Sequence, residues 1–130
     1  VHLGQDDLPP TAARALLGAE KILGVSTHSL EQALRAAEQG ADYLGIGPVF
    51  ATATKVTGYQ PVGCDMIREV HARIDLSLVA IGGITLSNVG EVIRAGAAGV
   101  AVISAIAGAE EITAATRAFV TAIQQADQGR

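Results

Sequence analysis

Three times along this 130-residue chain an amphipathic stretch ends in Gly-Ala and gives way, a few residues later, to a short apolar run. Gly18-Ala19 leads into Ile22-Leu23-Gly24-Val25, Gly40-Ala41 into Tyr43-Leu44-Gly45-Ile46, and Gly96-Ala97 into Val100-Ala101-Val102-Ile103. A glycine in that place ends a helix with a left-handed residue, where any side chain would be penalised. Repetition of one helix-to-strand unit restricts the chain to alternating α/β architectures with a parallel sheet.

The rest of the chain keeps the same rhythm. Leu30, Ala33, Leu34 and Ala37 share one helical face, introduced by Ser29 with Gln32 at capping-box spacing. Val62, Met66 and Val70 predict a helix over about 61–73, Val89, Val92 and Ile93 one over about 86–95, and Ile112, Ala115, Phe119 and Ile123 a last one. Asp7, Pro9 and Pro10 read as the cap and opening turn of a first helix ending near Leu17. Between them five apolar runs, near 1–3, 22–25, 43–46, 78–81 and 99–103, lack alternation and suit strands buried on both faces. Residues 1–130 are thus expected to form a single domain, β-α repeated five times, with no linker or low-complexity segment. Periodicity alone does not separate an open doubly wound sheet from part of a closed barrel. A complete barrel takes about 250 residues, so a barrel reading makes this chain partial. Val1, which opens inside an apolar run, agrees with it.

The 49% apolar content excludes a disordered tail, and a net charge of −4 without a basic run argues against nucleic acid. Anionic small ligands would have to be held by a few placed donors, since the only lysines are Lys21 and Lys55. A single cysteine, Cys64, allows no internal disulfide and gives no metal-binding spacing; a reducing, cytoplasmic setting fits best. Apolar runs of four to six residues are far short of the roughly 20 that span a bilayer.

In either architecture ligands bind at the C-terminal ends of the strands, and the residues there are polar or glycine-rich. Gly82-Gly83, followed by Ile84-Thr85 and a helix, presents open backbone N–H groups at a helix start, which suits a phosphate dianion. Ile103-Ser104, followed by the small residues Ala105 to Ala109, offers further donors from a short extra helix. The glycines serve equally to let a helix pack closely, but pairing with Ser104 favours phosphate. In the long connection from Gly47 to Gln60, Thr52 and Thr54 point the same way in an extended segment and Lys55 another, so hydroxyls and ammonium can meet different groups. From spacing alone, a solvated turn with a surface lysine is the simpler account. Asp6-Asp7 offers carboxylates for Mg²⁺, which needs only one or two besides substrate phosphates, although Asp7 also stands where a helix cap is expected. His28 beside Ser26 lacks an acid to orient it and reads as a helix-entry histidine making a structural hydrogen bond. His71 suits a helix C-terminus, and His2 and Cys64 read as packing residues.

The segments His2-Leu3-Gly4-Gln5-Asp6-Asp7, Gly24-Val25-Ser26-Thr27-His28, Gly40-Ala41-Asp42-Tyr43, Gly47-Pro48-Val49-Phe50 with Thr52-Ala53-Thr54-Lys55, Ile81-Gly82-Gly83-Ile84 and Val102-Ile103-Ser104-Ala105-Ile106 together resemble the thiamine phosphate synthase family. The resemblance covers essentially the whole chain and implies the last five β/α units of a (β/α)₈ TIM barrel. It implies a cytoplasmic, Mg²⁺-dependent transferase in thiamine biosynthesis. That enzyme couples 4-amino-5-hydroxymethyl-2-methylpyrimidine diphosphate with 4-methyl-5-(2-phosphoethyl)thiazole, giving thiamine phosphate and pyrophosphate. By similarity Asp7 would hold Mg²⁺ on the leaving pyrophosphate, and Ser26 and Lys55 would bind the pyrimidine diphosphate and serve catalysis. Thr52, Thr54, Gly83, Ile103 and Ser104 would bind the thiazole phosphate, the last two mainly through the backbone.

Family members also carry a Gln-x-Arg-x-Lys segment and an Asn-Asp pair on strands earlier than any here. The resemblance therefore implies that this chain keeps the thiazole half of the site, and that alone it is inactive or weakly active. Five strands of eight also leave two sheet edges open, so association into a homo-oligomer is expected. Two rivals are a thiazole tautomerase-like isomerase on the same fold and a non-catalytic module binding a phosphorylated metabolite. Retention of Asp7 and of Thr52 to Lys55 weighs against the isomerase, which has no pyrophosphate to discharge.

Overall fold

The computed structural model describes residues 1–53 and 58–129. Five strands, β1 (His2–Leu3), β2 (Gly24–Thr27), β3 (Tyr43–Ile46), β4 (Ser77–Ile81) and β5 (Gly99–Ala101), alternate with helices α1 (Pro10–Leu17), α2 (Leu30–Glu38), α3 (Gly63–His71) and α4 (Val89–Arg94). A short α5 (Ser104–Ala107) and a long α6 (Ile112–Asp127) follow β5. All pairings are parallel and the spatial order is β1-β2-β3-β4-β5, the order of the chain. A doubly wound sheet reverses direction at a switch point and carries helices on both faces; this sheet never reverses. Its helices form one layer, α2 touching α3, α3 touching α4 and α4 touching α6. Steady stepping in one direction with helices on one side is the wall of a β/α barrel.

The repeat does what its glycines predict: Gly18, Gly40 and Gly96, at the ends of α1, α2 and α4, all have positive φ. At the start of α2, Ser29 Oγ accepts the Gln32 N–H at 3.2 Å, while Gln32 Oε1 accepts the His28 N–H at 2.8 Å, one residue earlier than a strict capping box. The first helix differs from expectation. Pro9 occupies its N-cap without a side-chain cap, and Asp7 Oδ2 instead accepts the Gly4 N–H at 2.6 Å, closing the turn after β1. α4 starts later than the spacing predicts because Asn88 Oδ1 accepts the Thr85 N–H at 2.8 Å and closes a turn before Val89.

The sheet is buried on its helix side alone. Leu44, Ile46, Leu78 and Ala80 face that side and join Ile67, Val70, Val89, Val92, Ile93 and Phe119 in the main core; Leu3, Ala13 and Leu23 form a smaller one. Each fully buried Leu, Ile or Val contributes about 1.5–3 kcal/mol, against about 0.3–0.5 for an exposed helix pair such as Glu31–Arg35, so stability resides in this layer. Alternate residues, among them Ser26, Tyr43 and Val79 half-buried and His2 and Ile81 exposed, line the other face. Strands buried on both faces were expected; five strands form an open arc, so the inner face meets no opposing strand among the described residues.

Two features yield checks on the fold. The Arg14 guanidinium donates to the carbonyls of Gly18, Lys21 and Gly40 and to Asp42 Oδ2, and the same carboxylate accepts the Leu23 N–H at 2.7 Å. Hydrogen bonding from Leu23 and then Arg14 holds the Asp42 carboxyl below its usual range. Because the folded-state value is depressed, this contribution is present above the ordinary carboxyl pKa and fades as pH falls through the folded one. Arg14→Ala, which strands three carbonyls, is expected to cost about 2 kcal/mol by urea denaturation at pH 7. Cys64 lies buried against the core as a packing residue, and burial, followed by the nearby Glu91, pushes its thiol up to about 11. A thiol so raised is protonated at pH 8 and out of reach. Ellman's reagent should therefore label the folded chain negligibly and the unfolded chain once per molecule.

Candidate functional site

A cavity of about 340 Å³ opens at the C-terminal rim of the sheet, between the ends of β2, β3, β4 and β5. Ser26, Thr52, Gly83, Ile103 and Ser104, five of the residues singled out from the sequence, line it together. Its other walls are His28, Gly47, Pro48, the Ile81–Thr85 stretch and the residues around β5, and among the described residues no Lys, Arg, Asp or Glu contributes to its lining. The described lining offers hydroxyls, backbone amides and apolar contact to a ligand. Thr54 and Lys55 lie outside the described residues.

Gly82 and Gly83 are demanded by close approach, and the neighbour is a loop, not a helix. A Cβ on Gly82 would lie 2.6 Å from Pro48 Cβ, and one on Gly83 2.5 Å from the Ala51 carbonyl oxygen, both from positive-φ backbones. The Pro48–Ala51 stretch is held there because the Val49 N–H donates to Ile81 O at 2.8 Å and the Phe50 N–H to Gly82 O at 3.0 Å. The glycines therefore do not open a helix, as expected from sequence; five residues and the Asn88 turn separate them from α4. Gly83 nevertheless reaches the cavity wall, its own carbonyl accepting from Asn88 Nδ2 at 3.1 Å. Ser104 does begin the short helix foreseen after β5, and Ile103, at its N-cap, is 60% exposed toward the cavity mouth.

Ser26 is held by a side chain that sequence reasoning assigned to packing. His2 Nε2 lies 2.7 Å from Ser26 Oγ, and His2 Nδ1 lies 2.9 Å from the Tyr43 hydroxyl. The parallel register that sets Gly24 between His2 and Tyr43 makes this possible, and an added Cβ on Gly24 would fall 2.1 Å from the Tyr43 ring. Burial lowers the His2 pKa, so the imidazole bridges its two hydroxyl partners chiefly in neutral form at pH 7. The available signal was glycine inside a strand, which marks a close approach by something else.

Asp7 is on the same rim, just past β1, and Gln5 Nε2 ties that turn to Ser26 O at 2.7 Å. Asp7, however, lines a separate groove of about 180 Å³ with Gln32 and Arg35 of α2 and Gln39 at its C-cap. Among the described residues no cluster of three or more His, Cys, Asp or Glu side chains is placed to hold a metal. One exposed carboxylate with an oxygen left over from its bond to Gly4 matches an ion that takes most ligands from substrate phosphates and water. His28 makes the structural hydrogen bond expected of it, to the Gly47 carbonyl, and His71, exposed at the end of α3, covers Gly96.

Residues 1–106 match the family model described as thiamine monophosphate synthase. The thiamine-phosphate synthase of Chloroflexus aurantiacus is 51% identical over 117 residues, covering 90% of this chain and 54% of that protein. The one from Shouchella clausii is 50% identical over 128 residues, covering 98% of this chain and 61% of that protein. The solved thiamine phosphate pyrophosphorylase of Pyrococcus furiosus superposes with a TM-score of 0.88 at 38% identity, over 97% of this chain and 59% of its own. The chain thus spans a little over half the length of these relatives. Among the described residues no helix is long and apolar enough to cross a membrane.

Proposed function

This chain belongs to the thiamine monophosphate synthase family, and we propose that as a single domain it forms the thiazole-phosphate half of a synthase active site. The observation that carries the reading is the convergence of Ser26, Thr52, Gly83, Ile103 and Ser104, from four separate strand ends, on one cavity. Thr52 and Thr54 hydroxyls and the backbone at Gly83, Ile103 and Ser104 take the phosphate of 4-methyl-5-(2-phosphoethyl)thiazole. Ser26, oriented by His2, and Lys55 take the diphosphate of the aminopyrimidine.

In the reaction the bond from the pyrimidine methylene to the diphosphate oxygen breaks with its electron pair leaving on oxygen. The thiazole nitrogen then donates its lone pair to that carbon. No proton is removed in bond formation, which accounts for a site without a catalytic histidine or cysteine. The aminopyrimidine is electron-rich enough to carry the transient positive charge. What the protein must supply is fixed geometry and stabilisation of the departing charge. Asp7 is the residue to hold Mg²⁺, which when bound neutralises part of the diphosphate charge. The small-molecule partners are these two substrates, the setting is cytoplasmic, and self-association through the open sheet edges is part of the proposal.

The test joins residues 1–130 to the N-terminal strands of the Chloroflexus aurantiacus relative and assays both substrates. Thiamine phosphate and pyrophosphate should form only with Mg²⁺, and the chain alone should form little or none. Binding of the phosphothiazole without any coupling would instead make this a non-catalytic module.

A further inference from the structure

We propose that His28 is a positioning residue whose imidazole, stacked on Tyr59, braces both ends of the connection between β3 and α3 and thereby presents Thr52 to the cavity. The inference rests on the reading of that cavity as the thiazole-phosphate site and adds a residue pair that neither the motifs nor the proposed chemistry assigns.

The imidazole is itself held from behind. The His28 backbone N–H is bound by Gln32 Oε1, in the turn that caps α2, which fixes where the side chain leaves the end of β2. From there the ring makes two contacts. Nδ1 hydrogen-bonds the Gly47 carbonyl, and since a carbonyl only accepts, Nδ1 carries the proton. The ring face lies on the Tyr59 ring with centroids 3.6 Å apart and planes 14° from parallel. Gly47 starts the connection and Tyr59 lies on its return, so one side chain touches both limbs. The outgoing limb is also tied to β4 through Val49 and Phe50, and the two limbs meet where the Val62 N–H donates to Pro48 O at 2.8 Å. The stack joins the returning limb to the end of β2, where Ser26 and His28 share the cavity wall with Thr52.

A connection braced in advance need not be ordered when ligand arrives, so the brace strengthens binding and leaves bond-making untouched. The test has two arms. In this chain, hydrogen exchange of the Val62 and Phe50 amides should quicken about tenfold in both His28→Ala and Tyr59→Ala, the scale of one aromatic pair or hydrogen bond. In residues 1–130 joined to the N-terminal strands of the Chloroflexus aurantiacus relative, the same variants should raise KM for the phosphothiazole about five- to tenfold and hold kcat within about twofold. Tyr59→Phe, which keeps the ring, should recover most of both losses. The double variant should lose less than the sum of the two singles, because each single already removes the shared stack.

Unchanged exchange in His28→Ala, additive losses, a loss confined to kcat, or Tyr59→Phe as impaired as Tyr59→Ala would each overturn the brace. Faster exchange in a protein that never binds the phosphothiazole would leave the brace standing and remove the reading of the cavity.

Discussion

Alanine at position 83 is expected to destabilise the fold by about 4 kcal/mol or more, whereas alanine at position 18, strained in its backbone alone, costs about 1–3 kcal/mol. Both glycines have positive φ, +64° at Gly83 and +74° at Gly18, where ψ is 179°, so an L side chain is strained in the backbone at each. What differs is space. Nothing lies within 4 Å of a Cβ built on Gly18, while one on Gly83 meets Ala51 O at 2.5 Å, Phe50 Cβ at 2.8 Å and the Phe50 carbonyl carbon at 2.9 Å. Two of these atoms are backbone in a segment tied to β4 by its own hydrogen bonds, so it can retreat only by breaking them. Retreat would also carry Thr52 away from the cavity wall. Gly83→Ala should therefore lose phosphothiazole binding as well as stability, and Gly18→Ala should lose neither to a comparable degree. Urea denaturation of the two variants side by side measures the difference. If Gly83→Ala lies within about 1 kcal/mol of Gly18→Ala, the close approach at the cavity wall is not real.

The contrast between those glycines also marks what could be seen from residues alone. Helical faces were legible because a period of 3.6 needs no partner: Val89, Val92 and Ile93 are buried as their spacing predicts. Strand edges were less so. The second run was expected at 22–25 and the strand is Gly24–Thr27, because Ile22 is 68% exposed while Ser26 and Thr27 pair with Gly45 and Ile46. Thr27, polar and fully buried, is satisfied by giving its hydroxyl hydrogen to Gly45 O, a partner no local pattern reveals. Val102 and Ile103, equally apolar, fall beyond β5 and turn toward the cavity mouth.

The site divides along the same line. Positions that lie just past a strand end, such as Gly83 and Ser104, can be found by looking immediately beyond each apolar run. Contacts made across the sheet cannot. His2 and Ser26 are 24 residues apart, and His28 meets Tyr59 across 31 residues; only strand register and the path of a long connection bring them together. A histidine in a strand reads as packing until its neighbours on either side are known.

Lys55→Ala in residues 1–130 joined to the N-terminal strands of the Chloroflexus aurantiacus relative is expected to lower kcat by about 10²–10³-fold, the largest functional effect proposed for any single side-chain truncation in this chain. The reason is the distribution of positive charge. Of the nine Lys and Arg residues, Lys55 and Arg130 lie outside the described residues, Arg14 is committed to Asp42, and Arg35, Arg68 and Arg73 pair with carboxylates three or four residues earlier. Lys21 lies before β2, at the opposite end of that strand from the cavity, and Arg94 and Arg117 belong to α4 and α6. Among the described residues the cavity lining contains no cationic side chain. A departing diphosphate gains negative charge as its bond breaks, and neutral hydroxyls and amides share that charge poorly without a cation nearby. Lys55, in the connection whose Thr52 faces the cavity, is the residue we propose to supply one. Because the charge develops in the transition state, the loss should fall on kcat more than on KM for either substrate. Lys55→Arg should recover part of the rate, since it keeps the charge and changes only its shape. A Lys55→Ala enzyme turning over within about threefold of the parent at saturating Mg²⁺ would take this lysine out of the mechanism and leave the charge to the metal and to residues outside this chain.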